Sequence, residues 1–324
     1  MTVAVIGAGL AGLTCAGRLA EAGLEVRLFD KGRGAGGRLS TRRVEPWNFD
    51  HGAQYLTARD PAFKAQMARW REMGVVSPWP ARLVECNPDR PCIPWRDGRE
   101  RFVGVPGMSA VVRQAAQGLD LRFNVQVQPP RREEGGWRLL DTAGHVLGLF
   151  HQVVVAAPAP QSGELLAAAP ALVERIRQVR MMSCWSVMLG FREALALDFD
   201  GAFVRGSPLA WAARNSSKPA RPVAEAWVLQ ASGSWSEQHL DSPGERVAAE
   251  LLGAFGKATG LASLAPASRI SHRWRYAAPV SPLGEAYLYD SQLGIGACGD
   301  WCLAPRIEAA WLSGRALAGR LLEE

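Results

Sequence analysis

The chain opens on an apolar run, Val3 to Ile6, passes at once into Gly7-Ala8-Gly9-Leu10-Ala11-Gly12, and continues with a helical pattern that Gly23 closes. A second apolar run over residues 25–30 ends on Asp30, with Lys31 beside it. Strand, glycine loop, helix and strand in that order make a βαβ unit, and few other folds accept them. The first glycine permits the tight turn, the second lets a pyrophosphate approach the backbone, and the third lets helix and strand pack closely. The helix N-terminus, with Leu10 and Ala11 in its first turn, then faces the anion. Asp30 lies about 20 residues beyond the glycines, where a carboxylate accepts hydrogen bonds from a ribose. The unit predicts a dinucleotide site without saying which dinucleotide.

At 324 residues the chain exceeds the size at which one core keeps growing, so two lobes are expected. Hydrophobic residues at 48% and charged residues at 21% exclude a disordered chain. The periodicity predicts helices over 60–73, 107–117, 162–178, 243–257 and 307–322. It predicts strands over 121–127, 151–157, 186–191, 210–213, 223–229 and 294–297. Residues 74–98, rich in Pro and Trp, read as an insertion. The fold class that results is α/β, a Rossmann-like nucleotide-binding domain of the two-dinucleotide-binding type with a second mixed-sheet α+β substrate domain. Residues 1–60, 100–160 and 285–324 are assigned to the first, and 61–99 with 161–284 to the second.

Lys and Arg number 37 against 31 Asp and Glu, and the positive residues are scattered, which fits attraction for phosphates and gives no nucleic-acid signature. The six cysteines form no CxxC pair and no ligand-like cluster with the five histidines, so no metal site is expected and a reducing cytoplasm fits. No basic segment and cleavage site precede the first strand, and no apolar run is long enough to cross a bilayer, so neither a signal peptide nor a membrane partner is expected.

Three further blocks narrow the dinucleotide. Gly32-Arg33-Gly34-Ala35-Gly36-Gly37-Arg38 resembles the second glycine motif of the amine oxidase-like flavoprotein superfamily, which clasps the FAD diphosphate. There paired glycines present backbone N–H groups and Arg38 adds a charge-assisted donor. Asp50-His51-Gly52-Ala53-Gln54-Tyr55 resembles the segment beside the flavin ring, with Gln54 and Tyr55 bordering the substrate. Gly296-Ala297-Cys298-Gly299-Asp300, followed by Arg306-Ile307-Glu308, resembles the closing FAD motif, in which the aspartate contacts the ribityl or diphosphate region. The helix after it points its N-terminus at the flavin pyrimidine, favouring negative charge on the reduced ring. Val127 is the candidate contact to the adenine. Cys298 and Cys302 have no supporting pattern for a covalent link, so FAD is expected to be non-covalent.

Within that superfamily the whole resembles the renalases, bacterial members above all, through the first glycine motif, the block 50–55 and Ser271-His272-Arg273-Trp274-Arg275-Tyr276. The resemblance implies oxidation of dihydronicotinamide isomers reduced at the 2 or 6 position to NAD(P)+, with O2 reduced to hydrogen peroxide. It makes His272, Trp274, Tyr55 and Gln54 the candidate catalytic residues, with a small-molecule partner and a monomer or weak dimer. His51 is read as a structural, cofactor-side histidine, since hydride transfer to flavin often needs no strong base.

Other readings share these motifs. An amine oxidase often uses a lysine beside the flavin, and none of Lys31, Lys64, Lys218 and Lys257 sits in a flavin-side motif. A desaturase or protoporphyrinogen-type oxidase needs an apolar tunnel or membrane-facing surface. A monooxygenase needs a second dinucleotide fingerprint, which is absent. From another class, a flavin-binding redox sensor would show no turnover.

Overall fold

A computed structural model describes residues 1–323. Strand β1 (Thr2–Ile6), helix α1 (Leu10–Glu21) and strand β2 (Glu25–Phe29) form the expected unit. β1 lies between β2 and the strand Gln152–Val155, parallel to both, with Ala4 opposite Arg27 on one side and Val153 on the other. Asp120–Arg122 extends the sheet beyond β2; Ile295–Ala297 and then Leu288–Asp290 extend it at the other edge. Alternate residues of β1 serve opposite cores. Val3 and Val5 pack with Leu10 and Leu13 of α1 and Leu317 of the last helix (Ile307–Leu322), while Ala4 and Ile6 pack with Trp137 and Phe150 of a three-stranded meander over residues 131–150. Both faces are covered, which is what lets the strands read as continuous apolar runs.

The second sheet has seven strands, in the order Ser268–Ser281, Arg180–Gly190, Ala226–Ala231, Leu209–Arg214, Gly201–Val204, Leu83–Asn87 and Arg90–Pro94. All its pairings are antiparallel except that of Gly201–Val204 with Leu83–Asn87. Helix Gly244–Thr259 covers it with Val247, Leu251 and Phe255, each fully buried.

Several elements differ from the sequence reading. The strand expected over 121–127 stops at Arg122, because Asn124 takes φ 58° and the chain bends onto the second glycine loop, Asn124 N–H donating to Gly32 O at 2.9 Å. Val127 is left as an isolated bridge to Asp141. The strand expected from Val223 begins at Ala226, and Val223 is 98% exposed. Residues 83–94 are a hairpin within the second sheet rather than a separate insertion. Its pairing of Glu85 with Ile93 sets Cys86 against Cys92, which form a disulfide, a pairing that does not fit the reducing cytoplasm read from the cysteine spacing. The helices Pro61–Glu72 and Pro170–Ile176, expected in the second lobe, pack on the first: Phe63 meets Trp311 at 5.5 Å between centroids, and Leu172 and Ile176 share a core with Ile6.

Candidate active site

The two sheets enclose one large cavity of about 1060 Å³. At one end stands the N-terminus of α1, whose capping residue Gly9 offers no side chain to its first N–H groups. Gly7, Gly9, Leu10 and Ala11 line the cavity there, with Asp30, Lys31, Gly37 and Val127. The glycines divide the work. Gly7 takes φ +115°, and a Cβ at Gly9 would meet no protein atom within 4 Å, only cavity. Gly12 does not line the cavity: a Cβ there would lie 2.0 Å from Gly7 O and 2.9 Å from the Ala156 Cβ, so its part is packing. Asp30 ties the two glycine loops together, accepting from Ala8 N at 2.7 Å and from Gly32 N at 2.6 Å.

In the middle, Arg38 and Asp300 pair with each other in a two-point ion pair, at 2.8 Å and 2.6 Å, and Arg38 also donates to Ala277 O at 3.0 Å. Gly299, Asp300 and Ile307 line this stretch; Gly299 N–H is held by Ser313 Oγ at 2.9 Å. Ile307 opens the last helix, so that helix presents its N-terminus to the cavity. Its acidic residue Glu308 is turned away, accepting from Arg59 N and Asp60 N at 2.6 and 2.7 Å.

The far end is built on residues 50–55. Gly52 lies so close to the Arg38 backbone that a Cβ would be 2.0 Å from its carbonyl oxygen, and Ala53 N–H donates to the same oxygen at 2.9 Å. Gly52, Ala53, Gln54 and Tyr55 all line the cavity. Beneath them Asp50 is fully buried and accepts from Lys218 Nζ at 3.2 Å and Arg221 at 2.7 Å. Burial alone would raise the Asp50 carboxyl; the two cations, the Arg221 hydrogen bond and the Met108 N–H outweigh it and bring it down to about 2. Burial lowers the Lys218 ammonium to about 8 despite Asp50. Lys218 also donates to Gln54 Oε1 at 3.2 Å, so a lysine stands one residue behind the cavity wall although it sits in no flavin-side motif. Its position could not be seen in the sequence, because it is 164 residues from Gln54 and in no motif.

Trp274 lines the cavity and donates from Nε1 to His51 O at 2.8 Å. His51 stacks on Trp274 with centroids 5.2 Å apart, and His272 sits edge-on to both at 4.9 and 4.3 Å. His51 and His272 are therefore not in the cavity lining; they back Trp274. His272 shares the strand Ser268–Ser281 with Trp274, and this edge strand had not been legible as a strand. Burial, then His272, lowers the His51 imidazole to about 4; burial, then Arg42, lowers that of His272. Lining residues that sequence reasoning missed are Arg59, Arg99, Arg101, Phe203, Trp211 and Gln230, which come from loops and second-sheet strands carrying no motif.

The cradle fits FAD: a cavity of dinucleotide size runs from glycines whose missing side chains keep it open, past a helix N-terminus, to an aromatic end. Cys298 and Cys302 are buried outside the lining. Among the described residues no helix is long and apolar enough to cross a membrane.

Comparison with known proteins agrees. Residues 5–70 match the NAD(P)-binding Rossmann-like domain, and residues 79–322 match the flavin containing amine oxidoreductase family. A solved structure of a putative protoporphyrinogen oxidase from Exiguobacterium sp. 255-15 superposes with TM-score 0.82 over 100% of this chain and 99% of that one, at 14% identity. Putrescine oxidase bound to putrescine superposes with TM-score 0.73 over the whole of both chains, again at 14% identity. A 4,4'-diapophytoene desaturase of Staphylococcus aureus (strain Newman) is 44% identical over 60 residues, 18% of this chain; the match spans only 12% of that protein's length. These likenesses carry the fold, and the family match covers most of the chain: the protein belongs to the flavin containing amine oxidoreductase family.

Proposed function

We propose that the protein oxidises dihydronicotinamide isomers reduced at the 2 or 6 position, giving NAD(P)+ and, from O2, hydrogen peroxide. The observation that carries this reading is the chemistry of the cavity's far end. Tyr55, Phe203, Trp211 and Trp274 supply aromatic faces there, and Arg59, Arg99 and Arg101 supply positive charge. The carboxylates in the lining are Asp30, Asp300 and Glu164; the first two are tied to the glycine loops and to Arg38, and Glu164 lies on the helix Ala159–Leu165. An ammonium group would find arginines and no free carboxylate beside Tyr55, whereas a flat ring carrying phosphate finds both partners it needs.

FAD held in the cradle, non-covalently, supplies the hydride acceptor and the route of electrons to O2. Gly7, Gly9, Leu10, Ala11, Asp30, Lys31, Gly37, Arg38, Val127, Gly299, Asp300 and Ile307 would hold it, with Gly52, Ala53 and Gln54 along the ring. The N-terminus of the last helix favours negative charge arising near Ile307. A dihydropyridine is already a strong hydride donor, so Trp274, Tyr55 and Gln54 need only align it and exclude water. His272 and His51, neutral near pH 7, position Trp274 rather than move a proton. The reading carries with it a cytoplasmic monomer or weak dimer.

Anaerobic stopped-flow absorbance tests it. The yellow holoprotein is mixed separately with 2-dihydro-, 6-dihydro- and 4-dihydro-NAD and with putrescine. Fast bleaching by an aberrant isomer, with recolouring on O2, is the expected result; bleaching by the amine alone, or by none of them, refutes the assignment.

A further inference from the structure

The Leu56–Phe102 antiparallel bridge lays the segment from Tyr55 to Arg59 alongside the segment from Arg99 to Arg101. The pairing gathers Arg59, Arg99 and Arg101 at one cavity wall, and all three are in its lining. Arg59 and Arg99 are exposed, but the Arg101 side chain is only 8% exposed, lying over the Tyr55 ring at 5.1 Å. Trp211 packs edge-on against Tyr55, with centroids 5.9 Å apart.

Burying a guanidinium is costly unless its donors and charge are answered. Two of the Arg101 nitrogens are answered by Asp97, at 2.7 and 3.1 Å, and by Arg99 O at 3.1 Å. Its Nε is not: it is buried without a hydrogen-bond partner, and so is the Trp211 Nε1. Asp97, which also lies 3.8 Å from Arg99, is among the described residues the one carboxylate in ion-pair contact with Arg99 and Arg101, and it is not in the lining. The wall therefore keeps an excess of positive charge beside an aromatic ring, with two N–H donors buried behind it without partners.

We propose that Arg101, supported by Arg59 and Arg99, is an anion subsite that takes a phosphate of the substrate and selects phosphorylated dihydronicotinamides over the bare riboside. This rests on the function proposed above and goes further, by assigning the group that confers specificity. Arg101 does not touch the reacting atoms; its part is binding.

The test uses the holoprotein, whose own diphosphate site is filled. Inorganic pyrophosphate is titrated by calorimetry, and anaerobic flavin reduction is followed with one isomer supplied both as the dinucleotide and as the phosphate-free riboside. The expected result is saturable pyrophosphate binding that weakens about tenfold in Arg101→Met, with the dinucleotide's advantage over the riboside shrinking by a similar factor. Pyrophosphate that does not bind, or binds wild type and variant alike, overturns the subsite. So does a dinucleotide with no advantage over the riboside. If no isomer reduces the flavin while pyrophosphate still binds through Arg101, the subsite stands and the substrate assignment falls. Should Arg101→Met fail to fold, the double variant Arg59→Gln/Arg99→Gln, changed only at exposed side chains, decides: weakened pyrophosphate binding supports the subsite and unchanged binding overturns it.

Discussion

Replacing Asp50 by Asn removes one charge and almost no volume, and the structure says which contacts it breaks. Oδ1 of Asp50 accepts from Thr41 Oγ1 at 2.7 Å and Met108 N at 2.9 Å, and an Asn oxygen can keep both. Oδ2 accepts from Lys218 and Arg221, and Asn puts an NH2 donor there, facing two cations. Lys218 and Arg221 have side chains 0% and 1% exposed, so neither can turn to water. Breaking a buried pair in this way costs about 3–5 kcal/mol. At roughly 2 °C per kcal/mol for a chain of this size, the melting temperature falls by about 6–10 °C. Because Lys218 also holds Gln54 and Gln54 holds Gly52 O, the variant also retains less FAD. Thermal unfolding by circular dichroism, with and without added FAD, measures both effects. The double variant Asp50→Asn/Lys218→Met, with one stranded cation gone, recovers about 1–2 kcal/mol. A loss below about 1 kcal/mol in the single variant, or no recovery in the double, would refute the claim that Asp50 neutralises this cluster.

Other outcomes follow from the same geometry. Gly9→Ala adds a methyl that meets no protein atom, so the apoprotein should melt as wild type while the FAD dissociation constant rises about tenfold or more; unchanged FAD affinity would place the cofactor elsewhere. Asp30→Ala frees the Ala8 and Gly32 amides, and the purified variant should carry much less FAD, since two charge-assisted bonds shape the cradle; full FAD content counts against it. His51 titrates at about 4 folded against 6.5 ordinarily, so the unfolded chain takes its proton first as pH falls. Its stabilising effect is complete above pH 6.5 and is lost towards pH 4, about 2 kcal/mol by pH 5. His51→Gln should flatten the dependence of melting temperature on pH between 7 and 5, and an unaltered slope would show that another group dominates.

What the sequence alone determined was local. The βαβ unit, its glycines and Asp30 could be read because strand period, helix period, a tight turn and an anion cradle each require particular residues at fixed short spacing. The blocks at 32–38, 50–55 and 296–300 were legible through their resemblance to a flavoprotein superfamily, and each was read by what it holds and not by its neighbours. The tertiary structure decided what depends on distant pairings. It set Arg38 against Asp300, 262 residues away, and Lys218 behind Gln54. It turned His272 into support for Trp274, and it drew Arg59, Arg99, Arg101 and Trp211 together from separate loops and strands. A side chain's partner across a sheet depends on register, and one residue of slip sends it to the opposite face. The cofactor cradle is written in contiguous residues, whereas the substrate end exists only once the second sheet has folded against it.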